Sequence, residues 1–437
     1  MPFTSGYTLS VSPRAATARR RTPRRRTAVV AALAVLVLPA LEVLPAGAAA
    51  ASAATSDSAT SDSATSHSAA ASDAEVQTAP TVADDFYTPP DPLPDGDDGE
   101  VIRWREEPEQ LSARNYLVLY HSTNGGGQDI AVSGRVLVPN SPWTGEGPRP
   151  IVSDASGTRG LGDSCALSRS LDYRGPTISA MLGKGWAVAL SDYEGLGTPG
   201  GHAYAVGQSE GRSVIDVVRA ATNLPATGLA AGGKVAFSGY SQGGGAALWA
   251  GELQPTYAPE LDLVGISAGG VPADLRAVAR GLDGQLGFGL LLFITYGYNT
   301  AYPELDLQSY LNERGLATFE AEQGACVGVT YAHAFQNMRL FTTSDPLDSP
   351  AWQARLDENR LGANPPDVPI RLYHGLIDEL VAPGQARTLR NEYCAAGADV
   401  QWEWHLGEHA LAMVTGRPGV VTFLDKRFRD VPFTANC

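Results

Sequence analysis

From residue 84 to the C-terminus, apolar residues fall into two alternating rhythms. Short unbroken or alternating apolar runs bounded by Gly, Pro, Asn or Asp predict strands, and apolar residues three or four apart predict helices. "SARNYLVLYHSTNGGGQDIAVSGRVLVP" predicts two strands around a Gly-rich turn, a hairpin. "RPIVSDAS", "GWAVALSDYEG", "KVAFSGYS", "LDLVGISAGG", "VPIRLYHG" and "VQWEWHL" predict further strands. "RSVIDVVRAATNL", "GGAALWAGELQ", "GQARTLRNEYCAAG" and "GRPGVVTFLDKRF" predict helices between or after them. This succession implies an α/β fold whose mostly parallel sheet is covered on both faces, with sites beyond the carboxyl ends of the strands. The rhythm breaks over 274–366, where helical stretches occur without strand alternation. The most apolar of them, "GFGLLLFITYGY" at 287–298, is too short to span a bilayer and predicts a buried helix. The expected organisation is a core of 84–273 and 367–437 interrupted by a helical cap over 274–366.

Upstream of residue 84 the pattern changes. Residues 14–26 hold seven arginines and no acid, and "TAVVAALAVLVLPAL" and "PAGAAAASAA" follow. A basic region, a short apolar run and an A-x-A site make 1–48 a secretory signal peptide, with cleavage fitting after Ala48 or Ala53. Pro39, Glu42 and Pro45 interrupt the run before it reaches the about 20 apolar residues of a membrane anchor. The imperfect repeat "TSDSATSDSATSHSAAASDAE" has no large apolar residue, so 49–83 reads as a disordered linker or pro-segment with an inert His67.

Composition sharpens this. The formal charge is −15, and without the leader's seven Arg and one Glu it becomes −21. So acidic a chain argues against nucleic acid or anionic membranes as charge-matched partners. Cys165, Cys326, Cys394 and Cys437 are an even number in an exported chain and predict two disulfides, in any of three pairings.

The pattern G-x-S-x-G occurs three times, around Ser209, Ser241 and Ser267, and 48 glycines make chance matches expected. A serine hydroxyl needs a base to become a nucleophile, and a tight strand-to-helix turn exposes it. Only Ser241 has strand-like "KVAFS" before it and helix-like "GGAALWAGEL" after it. Ser209 follows "GGHAYAVG", which is not strand-like, and its neighbours Gln208 and Glu210 read as solvated. Ser267 ends a strand, but Pro272 blocks a helix there. Both read as turn residues.

Elbow order puts an acid and then a histidine downstream. Asp378, in the loop "LIDELVAPGQA", is the expected acid, with Glu379 beside it solvated. His409, in the loop beyond "VQWEWHL", is the expected base; His333 lies in the insertion, His374 reads as packed in a strand, and His405 still belongs to one. "HLGEH" at 405–409 also matches H-x-x-E-H, which would bind zinc only with both histidines on one helical turn, and the preceding strand and Gly407 oppose that. No metal is expected. Oxyanion donors are expected from the backbone of Gln242 and of Ser156 or Gly157 in "SDASGTRGLGDSC".

Six segments, "DDFYTPP", "SGTRGLGDSCALS", "SDYEGLG", "GYSQGGGAALWA", "HGLIDELVAP" and "GEHALA", occur in the order seen in the secretory lipase family of lipase A type, which the chain resembles from about Asp84 to Cys437. The resemblance implies an α/β-hydrolase core with a helical cap before the acid, hydrolysing carboxylic esters, acylglycerols included, without a cofactor. Ser241, Asp378 and His409 match its triad positions, and Ser156 and Gln242 its oxyanion positions. Many members carry a larger polar residue where this chain has Ser156, so the resemblance implies a backbone donor at this position and no side-chain oxyanion contact. The cysteines match as well, implying Cys165 with Cys326 and Cys394 with Cys437. The expected partners are a small-molecule or lipid ester and transient contact with a lipid interface, without nucleic acid or an obligate protein. The competing expectation is a serine aminopeptidase, with Asp192 and Glu194 of "SDYEGLG" binding the substrate amine, although both also read as turn-stabilising.

Overall fold

The computed structural model describes residues 85–170 and 175–437. The signal peptide expected over 1–48 and the linker expected over 49–83, His67 included, lie outside the described residues.

Among the described residues, nine strands form one sheet: β1 (Val101–Gln110), β2 (Ala113–Thr123), β3 (Asp129–Pro139), β4 (Ile151–Ala155), β5 (Ala187–Ser191), β6 (Lys234–Tyr240), β7 (Asp262–Gly269), β8 (Ile370–Gly375) and β9 (Val400–His405). Their spatial order is β1-β2-β3-β5-β4-β6-β7-β8-β9. Pairings from β1 through β3 to β5 are antiparallel, and those from β5 through β4 to β9 are parallel. This is the mostly parallel α/β sheet expected from the alternating rhythm, and it suits the α/β-hydrolase core that the family resemblance implies. The strand β1 was not expected. Its Arg103, Arg105, Glu106, Glu107 and Pro108 hide strand character in the sequence, and the same residues suit an edge that must not pair further.

The helices are α1 (Gly175–Gly183), α2 (Gly207–Asn223), α3 (Gln242–Tyr257), α4 (Leu275–Leu282), α5 (Phe288–Ala301), α6 (Glu313–Glu322), α7 (Pro350–Glu358), α8 (Pro383–Ala395) and α9 (His409–Phe428). The pleat sorts the core. In β6, Val235 and Phe237 join the apolar cluster under α2 and α3, while Ala236 between them joins the cluster under α1 and α9. β4, β5 and β8 are buried along their whole length, as strands covered by helices on both faces must be.

Between β7 and β8 the chain forms α4 to α7 and short 3-10 turns, whose Phe288, Phe293, Phe341 and Trp352 share an apolar cluster with Leu161, Tyr204, Val206 and Val381 from outside the segment. Asp274 caps α4 by accepting from the Ala277 N–H at 3.0 Å. A disulfide joins Cys165 to Cys326, and Leu161 N–H donates to Ala325 O at 2.9 Å. Together they tie this segment to the loop after β4. A second disulfide joins Cys394 in α8 to Cys437. Among the described residues, no helix is long and apolar enough to cross a membrane.

Candidate active site

Ser241 is the single residue between the end of β6 and the start of α3. Its φ of 59° and ψ of −126° are rarely adopted by a side-chain-bearing residue, and such strain concentrates at functional sites. The flanking glycines are steric necessities. A Cβ on Gly239 would lie 2.0 Å from Gly243 O, and one on Gly243 would lie 2.1 Å from Ala155 O. The other two serines lack this setting. Ser267 is an internal residue of β7. Ser209 lies in the first turn of α2 rather than in a loop, and its hydroxyl donates to Glu194.

Asp378 lies in the loop after β8 and is 6% exposed. Its Oδ1 accepts from the N–H groups of Leu380 (3.1 Å) and Val381 (2.8 Å), a local turn that aims Oδ2 inward. There Oδ2 accepts from His409 Nδ1 at 2.7 Å. Burial pushes the Asp378 carboxyl up, but hydrogen bonds from His374 and His409, the His409 charge and the Val381 N–H outweigh it and hold the group well below the usual carboxylate range. His374 adds a contact that its packed strand position did not announce. Its Nε2 donates to Val381 O at 2.7 Å and stands 3.3 Å from Asp378 Oδ2. The signal was the four-residue spacing across the turn "HGLID".

His409 is not in a loop, as expected from the sequence, but is the first residue of α9. Glu408 provides the N-cap by accepting from Leu411 N–H, and Glu379, exposed as expected, accepts from His409 N–H at 3.1 Å. Tyr240, next to Ser241, donates to His409 O at 2.7 Å, and the two rings lie 4.9 Å apart. The elbow and the imidazole are therefore locked together. Ser241 and His409 line one cavity of about 360 Å³. A larger cavity of about 420 Å³, lined by Asp163, His202 and Tyr296 among others, includes none of Ser241, Asp378 and His409.

The oxyanion candidates sit where the loop after β4 meets the first turn of α3. Gln242 opens that helix, whose first N–H groups lack helical partners. Ser156 is 2% exposed; its hydroxyl donates to Gly157 O and its carbonyl accepts from Tyr193. Gly157, and not Ser156, lines the Ser241 cavity. The Ser156 hydroxyl is thus occupied, which leaves backbone N–H groups as what Ser156 and Gly157 offer a developing charge.

The histidines of "HLGEH" take different partners. His405 ends β9 and shares a 2.9 Å hydrogen bond with Thr415, while His409 begins α9 and serves Asp378. His333 pairs with Glu322 inside the insertion. Asp192 accepts from Ser133 Oγ and Ser168 N–H at 2.7 Å each, and Glu194 accepts from Ser209 and Asn124. Glu210 corrects the sequence reading. It is 3% exposed rather than solvated, because α2 begins at Gly207 and turns it inward onto Gln242.

Against known proteins, a sequence model described as secretory lipase matches residues 166–436. Lipase 1 of Candida albicans is 28% identical over 395 residues, covering 82% of this chain and 82% of its own. A Mycobacterium tuberculosis protein named as a probable inactive lipase is 29% identical over 377 residues, covering 80% of this chain and 83% of its own. The X-ray structure of Candida antarctica lipase A in its closed state matches with a TM-score of 0.73 at 27% identity, covering 81% of this chain and 87% of that one.

Proposed function

The chain belongs to the secretory lipase family, and from that footing we propose a secreted serine hydrolase that cleaves carboxylic esters, acylglycerols among them, through Ser241, His409 and Asp378. One relative is named as a probable inactive lipase, so the geometry of the site has to carry the reading. The observation that carries the reading is the 2.7 Å bond from His409 Nδ1 to Asp378, beside a cavity that His409 shares with the strained Ser241.

With the Nδ1 proton directed at Asp378, Nε2 is the basic nitrogen. It takes the Ser241 proton as Oγ attacks the ester carbonyl. The buried Asp378 carboxylate stabilises the imidazolium that forms. Backbone N–H groups of Gln242 and of the Ser156–Gly157 loop bind the tetrahedral oxyanion, a contribution of about 10²–10³ in turnover per donor. His409 then protonates the leaving alcohol, and water repeats the sequence on the acyl-enzyme.

Residues 274–366 act as the cap. They place Leu286 and Leu290 in the cavity wall opposite chemistry supplied by the core, and Leu380 and Met413 complete an apolar surface suited to an aliphatic acyl chain. Aminopeptidase chemistry fits less well. No carboxylate lines the cavity among the described residues, Arg159 does, and Asp192 and Glu194 are engaged elsewhere. Export through the leader over 1–48 completes the reading.

The test is a rate profile over p-nitrophenyl esters of rising acyl length beside aminoacyl p-nitroanilides. Turnover of esters with a chain-length optimum, and none of anilides, is expected. Faster anilide cleavage would reverse the assignment.

A further inference from the structure

Behind Ser241 lies a set of buried polar groups that the reaction as written does not use. The Gln242 side chain is buried, and its Nε2 lies 2.7 Å from Glu210 Oε1 and 3.2 Å from His202 Nε2. His202 Nδ1 stands 2.8 Å from Glu194 O, a carbonyl that can only accept. Nδ1 therefore carries the proton, Nε2 accepts, and the Gln242 amide must present its N–H groups to His202 and Glu210. Glu210 Oε1 also accepts from the Ala205 N–H at 2.8 Å.

The other end of the network reaches the loop after β4. The His202 ring stacks nearly parallel to Tyr193, at 10° and 6.2 Å. The Tyr193 hydroxyl donates to Ser156 O at 2.7 Å. Tyr204, two residues after His202, shares a 2.7 Å hydrogen bond with Thr158. Tyr193 and Ala205 have φ of 70° and 61°, a left-handed backbone that non-glycine residues rarely adopt. Such backbone strain persists only where surrounding contacts over-determine it.

We infer that Glu210, Gln242, His202 and Tyr193 form a buried brace that sets the distance between the two oxyanion walls, the first turn of α3 and the Ser156–Thr158 loop. This makes Glu210 and Tyr193 positioning residues for ester turnover. The inference rests on the ester-hydrolase reading and deepens it. Charge supports the geometry. Burial lifts the Glu210 carboxyl to about 8 against the downward pull of Gln242 and Ala205, and burial pushes His202 down to about 4. At neutral pH both are uncharged, so the brace adds no negative charge beside the growing oxyanion.

The experiment compares Tyr193→Phe, Glu210→Leu and Glu210→Gln with the parent, using kcat and KM on a p-nitrophenyl ester and inhibition by an alkyl boronic acid, a tetrahedral mimic. Tyr193→Phe and Glu210→Leu lower kcat by about tenfold to a hundredfold with KM within about twofold, because the donors are misplaced rather than removed. Boronate affinity falls by a similar factor. Glu210→Gln keeps an acceptor for Gln242 and Ala205 and stays within about threefold of the parent. A kcat per phosphonate-titrated site that is unchanged in Tyr193→Phe and Glu210→Leu overturns the brace, as does a Glu210→Gln no better than Glu210→Leu. If Glu210→Leu does not fold, Tyr193→Phe, which removes one oxygen, decides alone. Ser241→Ala separates the two claims. Turnover surviving in it would remove the hydrolase reading, whereas a dead Ser241→Ala beside unaffected brace variants removes only the brace.

Discussion

Asp378→Asn is the substitution whose outcome the structure specifies most fully. Oδ1 accepts from two backbone N–H groups, those of Leu380 and Val381, so the asparagine carbonyl must occupy that position. The amide nitrogen then replaces Oδ2 and faces His409 Nδ1, at a distance of 2.7 Å in the parent. Two N–H donors cannot face each other there. His409 must move its proton to Nε2 and accept through Nδ1, which removes the lone pair that would take the Ser241 proton. The carboxylate charge is lost too. For unit charges roughly 4 Å apart at an effective dielectric near 20, the attraction to the imidazolium is about 4 kcal/mol, or about 10³ in rate. Tautomer and charge together place the expected loss in kcat at about 10³–10⁴, with KM little changed. The assay is steady-state hydrolysis of a p-nitrophenyl ester, normalised to folded protein by near-UV circular dichroism. A folded Asp378→Asn enzyme within tenfold of the parent would refute the assigned role of Asp378.

Gly243→Ala places a Cβ 2.1 Å from Ala155 O and 2.7 Å from Ser156 O, so the loop after β4 must retreat and, with the oxyanion donors proposed there, kcat should fall by at least about tenfold; an unchanged kcat would contradict the close approach. Glu210, raised by burial from 4.5 to about 8, holds a proton in the folded state that the unfolded chain releases in that window. Stability from this group therefore declines as pH rises from about 4.5 to 8 and levels off above, by on the order of 5 kcal/mol at most. Urea unfolding at pH 5, 7 and 9 should show Glu210→Gln gaining on the parent with rising pH, and a pH-independent difference would contradict this. Replacing Cys165 and Cys326 together by Ala opens a link between residues 161 apart in sequence and should cost about 2–5 kcal/mol. Calorimetry should show a lower Tm, and an unchanged Tm would count against the tie between insertion and loop.

What the sequence made legible follows locality. Buried parallel strands announce themselves because both faces meet helices, and the elbow announces itself because Gly239 and Gly243 are required by contacts within a few residues or with one neighbouring strand end. Chain order pointed to Ser241, Asp378 and His409, although the expected loop position of His409 was wrong; the structure joins His409 to Asp378 and lines one cavity with Ser241 and His409. The start of α9 at His409 was missed because its cap is a Glu after a Gly, an uncommon N-cap. The edge strand β1 was missed because its charges protect it from further pairing. Glu210 was misread because its partner Gln242 lies 32 residues away and only the packing of α2 on α3 joins them. The second contact of His374 depends on the turn that returns Val381 and Asp378 over the strand end, which hydrophobic pattern does not encode.

The proposed chemistry stands or falls with the hydroxyl of Ser241 as nucleophile. The direct measurement is labelling of the purified protein with a fluorescent alkyl phosphonate, followed by peptide mapping. One adduct per chain is expected, on the peptide carrying Ser241, lost together with ester turnover in Ser241→Ala and kept in Ser209→Ala and Ser267→Ala. An adduct on any other residue, or turnover persisting in Ser241→Ala, would contradict it.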